Sequence, residues 1–179
     1  MRVLVILGFL LVPMAATLAQ TAMPAAKPED VKSIDSIVAA LYDVISGPPG
    51  AKHDWDRFRS LFLKDARMSA VTNRRGTLRC PSFTPDDYVK LDGPIIEKGG
   101  FSEREIARHT DQFANMVNVF STYESRIKAD DKKPFARGIN SIQLFKDGER
   151  WWVVSIYWQD ESKDNPLPEK YLRSALNGK

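Results

Sequence analysis

Residues 135–160 read FARGINSIQLFKDGERWWVVSIYWQD, two alternating runs rich in β-branched and aromatic residues that meet at Asp147-Gly148. Alternation of this kind marks strands. An Asp-Gly pair between two such runs suits a two-residue turn, because both central positions of that turn need positive φ. The stretch therefore predicts a β-hairpin with Lys146 opposite Glu149. Counting outward sets Gln143 against Trp152, Ser141 against Val154, Ile139 against Ile156 and Arg137 against Trp158, all on one face. The other face carries Asn140, Ile142, Leu144, Trp151, Val153, Ser155 and Tyr157. Both faces of the last strand are apolar and aromatic, whereas a face washed by solvent would alternate with charges. Helices are therefore expected over one face, and a partner subunit over much of the other.

Upstream, Met116–Arg126 and Arg104–Thr110 alternate in the same way, and Arg67–Val71 adds a short first strand. Pairing Arg126 with Phe135 across the loop 127–134 puts Glu124 opposite Arg137, and it adds Thr122, Phe120 and Asn118 to that face. The helices come earlier in the chain. Pro28-Glu29-Asp30 suits a first helical turn, and Ile34, Ile37, Val38, Leu41 and Ile45 follow on one helical face until Ser46-Gly47-Pro48-Pro49-Gly50 stops it. Asp54 can cap a second helix whose Trp55, Phe58, Leu61 and Phe62 share a side. Thr84-Pro85-Asp86-Asp87 opens a third, expected to run to about Asp92 and to end at Gly93-Pro94.

The N-terminus has a different composition. Arg2 precedes the apolar run VLVILGFLLV, and Pro13 and the small residues Ala15-Ala16-Thr17-Leu18-Ala19 follow. A basic n-region, an apolar core of about ten residues and a small-residue cleavage site make a signal peptide, and the core is too short to span a bilayer. The expected organisation is a signal peptide over 1–19, a flexible lead-in over 20–27, one domain over 28–162, and a polar tail over 163–179 with a brief helix at Glu169–Leu176. The product is expected to be exported, periplasmic or secreted, with no membrane association after signal removal.

Hydrophobic residues make up 43% and charged residues 27% of the chain, which suits a globular domain and not a disordered one. The net charge of +3 is spread among interspersed acidic and basic residues, so no nucleic-acid partner is expected. Cys80 is the single cysteine and cannot form an internal disulfide; it is either inert or a point of cross-linking between chains.

Several pieces together resemble the nuclear transport factor 2-like superfamily in its SnoaL-like branch. They are the first helix, Asp54-Trp55-Asp56-Arg57-Phe58-Arg59-Ser60-Leu61-Phe62 followed by Asp65-Ala66, and Asp147-Gly148 leading into Trp151-Trp152-Val153-Val154. The resemblance covers nearly all of the chain after residue 19. It implies an α+β fold: a cone-shaped, curved antiparallel sheet packed against about three N-terminal helices, a pocket inside the cone, and a homodimer through the outer sheet face. Relatives of this fold include isomerases, dehydratases, hydrolases, binding domains and interaction modules, so the fold by itself names no reaction. Tyr157-Trp158-Gln159-Asp160 is similar to the pocket-lining terminal strand of ketosteroid isomerases. Their catalytic acid and tyrosine have no residue-by-residue match here, nor does the Asp-Arg-Asp set of the epoxide hydrolases.

The candidate chemistry follows from the register. Glu124, Arg137 and Trp158 are neighbours on one face, with Arg126 one step away. If that face looks into the cone, Arg137 can hold a carboxylate or enolate oxygen, Glu124 can orient it or take a proton, and Trp158 can stack on the ligand. The alternative is a cross-strand ion pair that only closes the sheet. His109 is the one histidine placed in a strand, as a neutral-pH acid or base or as a hydrogen-bonded structural residue. Tyr42, Trp55 and Phe58 from the helices, with Phe120, Ile139 and Trp152 from the sheet, complete the expected ligand-binding set. No metal site and no cofactor motif is visible. The leading expectation is a small-ligand-binding domain holding an apolar or anionic molecule. The alternatives are a cofactor-free isomerase, dehydratase or hydrolase using Glu124 or His109 as base and Arg137 as electrostatic stabiliser, and a protein-interaction module.

Overall fold

The computed structural model describes residues 23–173, so the expected signal peptide lies outside the described residues. The first expected helix is two: α1 (Pro28–Val31) and α2 (Ile34–Val44). The Ser33 hydroxyl accepts the Ser36 N–H and starts α2 afresh. α2 buries Ile37, Val38, Ala40, Leu41, Tyr42 and Val44. α3 (Trp55–Ser60) is capped by Asp54, as expected. Its Arg57 donates twice to Asp30 of α1, at 2.7 and 2.9 Å, and once to Asp43 of α2, pinning all three helices together. α4 (Pro85–Leu91) carries the full capping box of Thr84 and Asp87. Gly93-Pro94 opens a further helix, α5 (Gly93–Gly99), where it was expected only to end one. Proline is tolerated in a first turn because its missing N–H would have no intrahelical partner there.

Seven strands form one curved mixed sheet, in the order β2-β1-β7-β6-β5-β4 with β3 beside β1. They are β1 (Phe62–Arg74), β2 (Thr77–Arg79), β3 (Ser82–Phe83), β4 (Ser102–Phe113), β5 (Met116–Arg126), β6 (Ala136–Lys146) and β7 (Trp151–Asp160). All pairs are antiparallel except β1 with β7, which run parallel. β1 is far longer than the expected Arg67–Val71, and Phe62, expected in a helix, begins it. The exposed thiol of Cys80 lies between β2 and β3.

The β5–β6 register matches expectation, with Glu124 opposite Arg137. The β6–β7 register does not. The Asp147 N–H donates to the Arg150 carbonyl, and the Asp147 carboxylate accepts the N–H groups of Glu149 and Arg150, so the turn spans four residues and Lys146 faces Trp151. That slip of two residues preserves the faces. Val154 then stands unpaired, because Leu144 faces Val153 while Gln143 faces Ser155. This bulge exchanges the faces of β7 beyond it. Ile156 therefore lies opposite Ile142, and Trp158 opposite Asn140 instead of Arg137. A second irregularity at Ile106 does the same for the start of β4.

The helices cover the inner face, where Val117, Val119, Tyr123, Ile142, Leu144, Val153 and Ile156 pack with Ile37, Val38, Leu41, Phe58 and Phe62. The expected helix at Glu169–Leu176 is a short 3-10 turn, Glu169–Tyr171, within the described residues. It lies on the outer face. The Thr122 hydroxyl donates to the Tyr171 carbonyl at 2.5 Å, and the Tyr171 ring packs against Phe120 and His109. The chain's own tail thus supplies part of the cover expected from a partner subunit.

Gly138 marks the tightest point of the sheet, because a Cβ there would run into the Gln159 carbonyl and the Tyr123 ring and hydroxyl. Gly138→Ala is expected to lose about 2 kcal/mol or more by forcing Tyr123 off its bond to Asp160. Chemical denaturation measures this, and an unchanged midpoint would show that the strand yields freely.

Candidate functional site

Between the helices and the inner sheet face lies a cavity of about 320 Å³. Its walls are largely apolar: Leu41 and Ile45 of α2, Phe58 of α3, Ile95 and Ile96 of α5, Phe101, Ile142 of β6, and Ile156 and Trp158 of β7. Its polar groups are Tyr42, Tyr88, Asp92, Glu103 and Asn140. Trp158 reaches the cavity only because of the Val154 bulge, and Glu103 only because of the irregularity at Ile106. Without the latter, Glu103 would face Arg126 on the outside; with it, Glu103 faces Ser125 on the inside.

The Ser125 hydroxyl donates to one Glu103 oxygen at 2.7 Å, and the Asn140 amide donates to the other at 3.4 Å. Asn140 also donates to the Tyr42 hydroxyl at 3.1 Å. The single Ser121 proton goes to Glu105, a carboxylate that also accepts two bonds from Arg108. The 2.6 Å contact between Tyr42 and Ser121 is therefore a donation from Tyr42. Asn140 to Tyr42 to Ser121 to Glu105 is thus one directed chain, which turns the Tyr42 proton away from the cavity.

Among the described residues Glu103 has no cationic partner. Burial pushes its carboxyl up to about 7; the Ser125 and Asn140 bonds pull the other way, and the negative charge of Asp160 adds a smaller upward push. Burial also raises Asp92, and burial together with nearby carboxylates raises Tyr42 and Tyr88.

The expected site residues divide between the two faces. Tyr42, Phe58 and Trp158 line the cavity together. Trp55 does not: its indole donates to Glu97 at 3.0 Å, and its ring packs close to Gly93. Glu124 and Arg137 face each other, but on the outer side, and each bonds elsewhere. Glu124 accepts from Arg104 and Arg126, and Arg137 donates twice to Glu161. The Arg126 bond is the first cause holding the Glu124 carboxyl below its usual range, and the Glu161 bond is the first cause raising Arg137. The expected Glu124–Arg137–Trp158 cluster therefore does not form, because β7 presents Trp158 to the opposite face. Phe120, Ile139 and Trp152 also lie outside, with the Trp152 indole bonded to Asp147. His109 meets the Lys170 carbonyl at 2.6 Å in a polar recess of the outer face. Glu103 stands one residue before the strand expected from Arg104, and no spacing in the sequence announces the offset that turns it inward.

No family profile and no curated protein matches the sequence. The likenesses are to solved structures. A protein of unknown function with a cystatin-like fold from Nostoc punctiforme PCC 73102 is 9% identical, with 73% of this chain and 90% of that one covered and a TM-score of 0.54. LinA is 10% identical, with 77% and 89% covered and a TM-score of 0.55. An NTF2-like protein of unknown function from Silicibacter pomeroyi DSS-3 is 12% identical, with 73% and 94% covered and a TM-score of 0.47. The fold is the NTF2-like α+β cone that the sequence resemblance implied. At such identity the likeness is one of fold and carries no reaction with it.

Glu103 makes stability depend on pH. Its folded value stands above its unfolded one, so the folded state holds the proton longer, and stability falls as pH rises from the unfolded value through about 7. Glu103→Gln is expected to melt higher than the wild type at about pH 8, by an amount on the order of 2 kcal/mol, and to match it near pH 4. Melting curves across that range check this; parallel curves would mean that the carboxyl ionises at its ordinary value.

Proposed function

We propose that the cone binds one small, largely apolar molecule whose polar end meets Glu103 and Asn140. The observation that carries this is the cavity of about 320 Å³, walled by aromatic and aliphatic side chains and closed at one end by a carboxylate with no counter-charge. Such a volume, with a few convergent polar groups on apolar walls, is the usual form of a small-molecule site. An anionic ligand loses its support, since Arg137, which was to hold it, is paired with Glu161 on the outer face. A second reading is enzymatic, with Glu103 in the place expected for Glu124 or His109. A carboxyl near 7 exists in both states at neutral pH, as a group that takes and returns a proton requires.

Two further parts of the proposal rest on sequence and surface. Arg2 with the apolar run 3–12 supports export to the periplasm or the medium. Phe113, Met116 and Phe145, exposed side by side at one end of the outer sheet face, support a homodimer through that face.

The neutral dye prodan tests the pocket. Its fluorescence is expected to rise and shift to the blue with the wild-type protein, and to stay at the free-dye level with Ile142→Phe, which fills the cavity from its inner wall. A melting curve confirms that the variant is folded. No rise with the wild type, or an equal rise with the folded variant, would remove the pocket reading.

A further inference from the structure

The cavity holds two carboxylates, Asp92 and Glu103, and among the described residues no lysine or arginine lines it. The titratable groups around Glu103 are Tyr42 from α2, Tyr88 and Asp92 from α4 and its C-cap, Tyr123 from β5 and Asp160 from β7; all are acidic or phenolic. The neighbouring arginines are engaged elsewhere. Arg57 binds Asp30 and Asp43, Arg108 binds Glu105 and Asp35, and Arg104 and Arg126 bind Glu124 on the outer face. The same cavity is lined by the rings of Tyr42, Phe58, Tyr88, Phe101 and Trp158.

Each ligand charge meets this cavity differently. An anion would lose its hydration and find two more carboxyl groups and no cation, the costliest case. A neutral molecule leaves Glu103 either protonated or ionised without a partner. A cation supplies the missing counter-charge, offers N–H donors to the Glu103 oxygens, and is attracted by the faces of the surrounding rings. We propose, building on the binding function above, that the ligand class of this cavity is the hydrophobic amine, held as its ammonium with nitrogen at Glu103 and its apolar body among the aromatic and aliphatic walls. The directed chain through Asn140 and Tyr42 supports this, because it turns the Tyr42 proton away from the ligand.

The test is calorimetric titration with three probes of one skeleton: 4-phenylbutylamine, 4-phenylbutanol and 4-phenylbutanoate. The amine is charged at both about pH 6 and about pH 8, while Glu103 changes state between them. At the higher pH the amine is expected to bind at least about ten-fold more tightly than the alcohol, with the carboxylate weakest. Near pH 6 that advantage shrinks several-fold, because Glu103 must lose its proton to bind the cation. Glu103→Gln removes the amine's advantage over the alcohol, and a melting curve near pH 6 shows that the variant is folded. An alcohol or carboxylate that binds as tightly as the amine would overturn the amine assignment and leave the pocket standing. The same holds if no probe binds while prodan does. If neither the probes nor prodan bind, both readings fall.

Discussion

The interior of this cone depends on a single unpaired residue. A β-strand shows alternate side chains to alternate faces, so one extra residue reverses everything beyond it, and Val154 is that residue in β7. Beyond the bulge, Ile156 and Trp158 turn toward the helices and become cavity wall, while Ser155 and Tyr157 turn outward. The irregularity at Ile106 acts in the same way on β4, bringing Glu103 and Glu105 inward beside Ser125 and Ser121. A ladder without these two offsets would carry Glu103 on its outer surface, and the cavity would lack its polar end.

The two faces solve opposite electrostatic problems. On the outer face Glu124 and Arg137 are both matched. Glu124 sits between the exposed Arg104 and the nearly buried Arg126, and Arg137 grips Glu161 where water still reaches the pair. The inner face holds Glu103 with hydrogen bonds but without a cation, an arrangement that costs stability whenever the group ionises. Natural folds keep such costs mainly where function uses them. The helices that enclose the cavity are tied by charged bonds away from it. Arg57 joins α1, α2 and α3, and Glu97 of α5 accepts from Lys52, from the His53 backbone and from Trp55.

The C-terminal stretch changes the meaning of the outer face. Tyr171 and the carbonyl of Lys170 settle over Phe120, Thr122 and His109, so the middle of that face is occupied by the chain itself. Among the described residues, Phe113, Met116 and Phe145 near the β4–β5 turn and Tyr157 of β7 stay exposed on that face.

The sequence by itself determined the capped helix starts, the strands β4 to β7 and the class of fold. Capping residues at Asp54 and Thr84, proline at first turns and β-branched alternation are local signals, and local hydrogen bonding honours them. It also determined the β5–β6 ladder, including Glu124 opposite Arg137, because an even register carries no hidden offset. Only the tertiary structure decided which face those residues occupy. The four-residue turn at Asp147 and the unpaired Val154 belong to a strand that pairs with both β6 and β1, and Val154 reads in the sequence like any other strand valine. The same holds for Glu103. A carboxylate at the edge of a strand looks solvated until packing removes water and counter-charge together, and that removal is a property of the assembled cone.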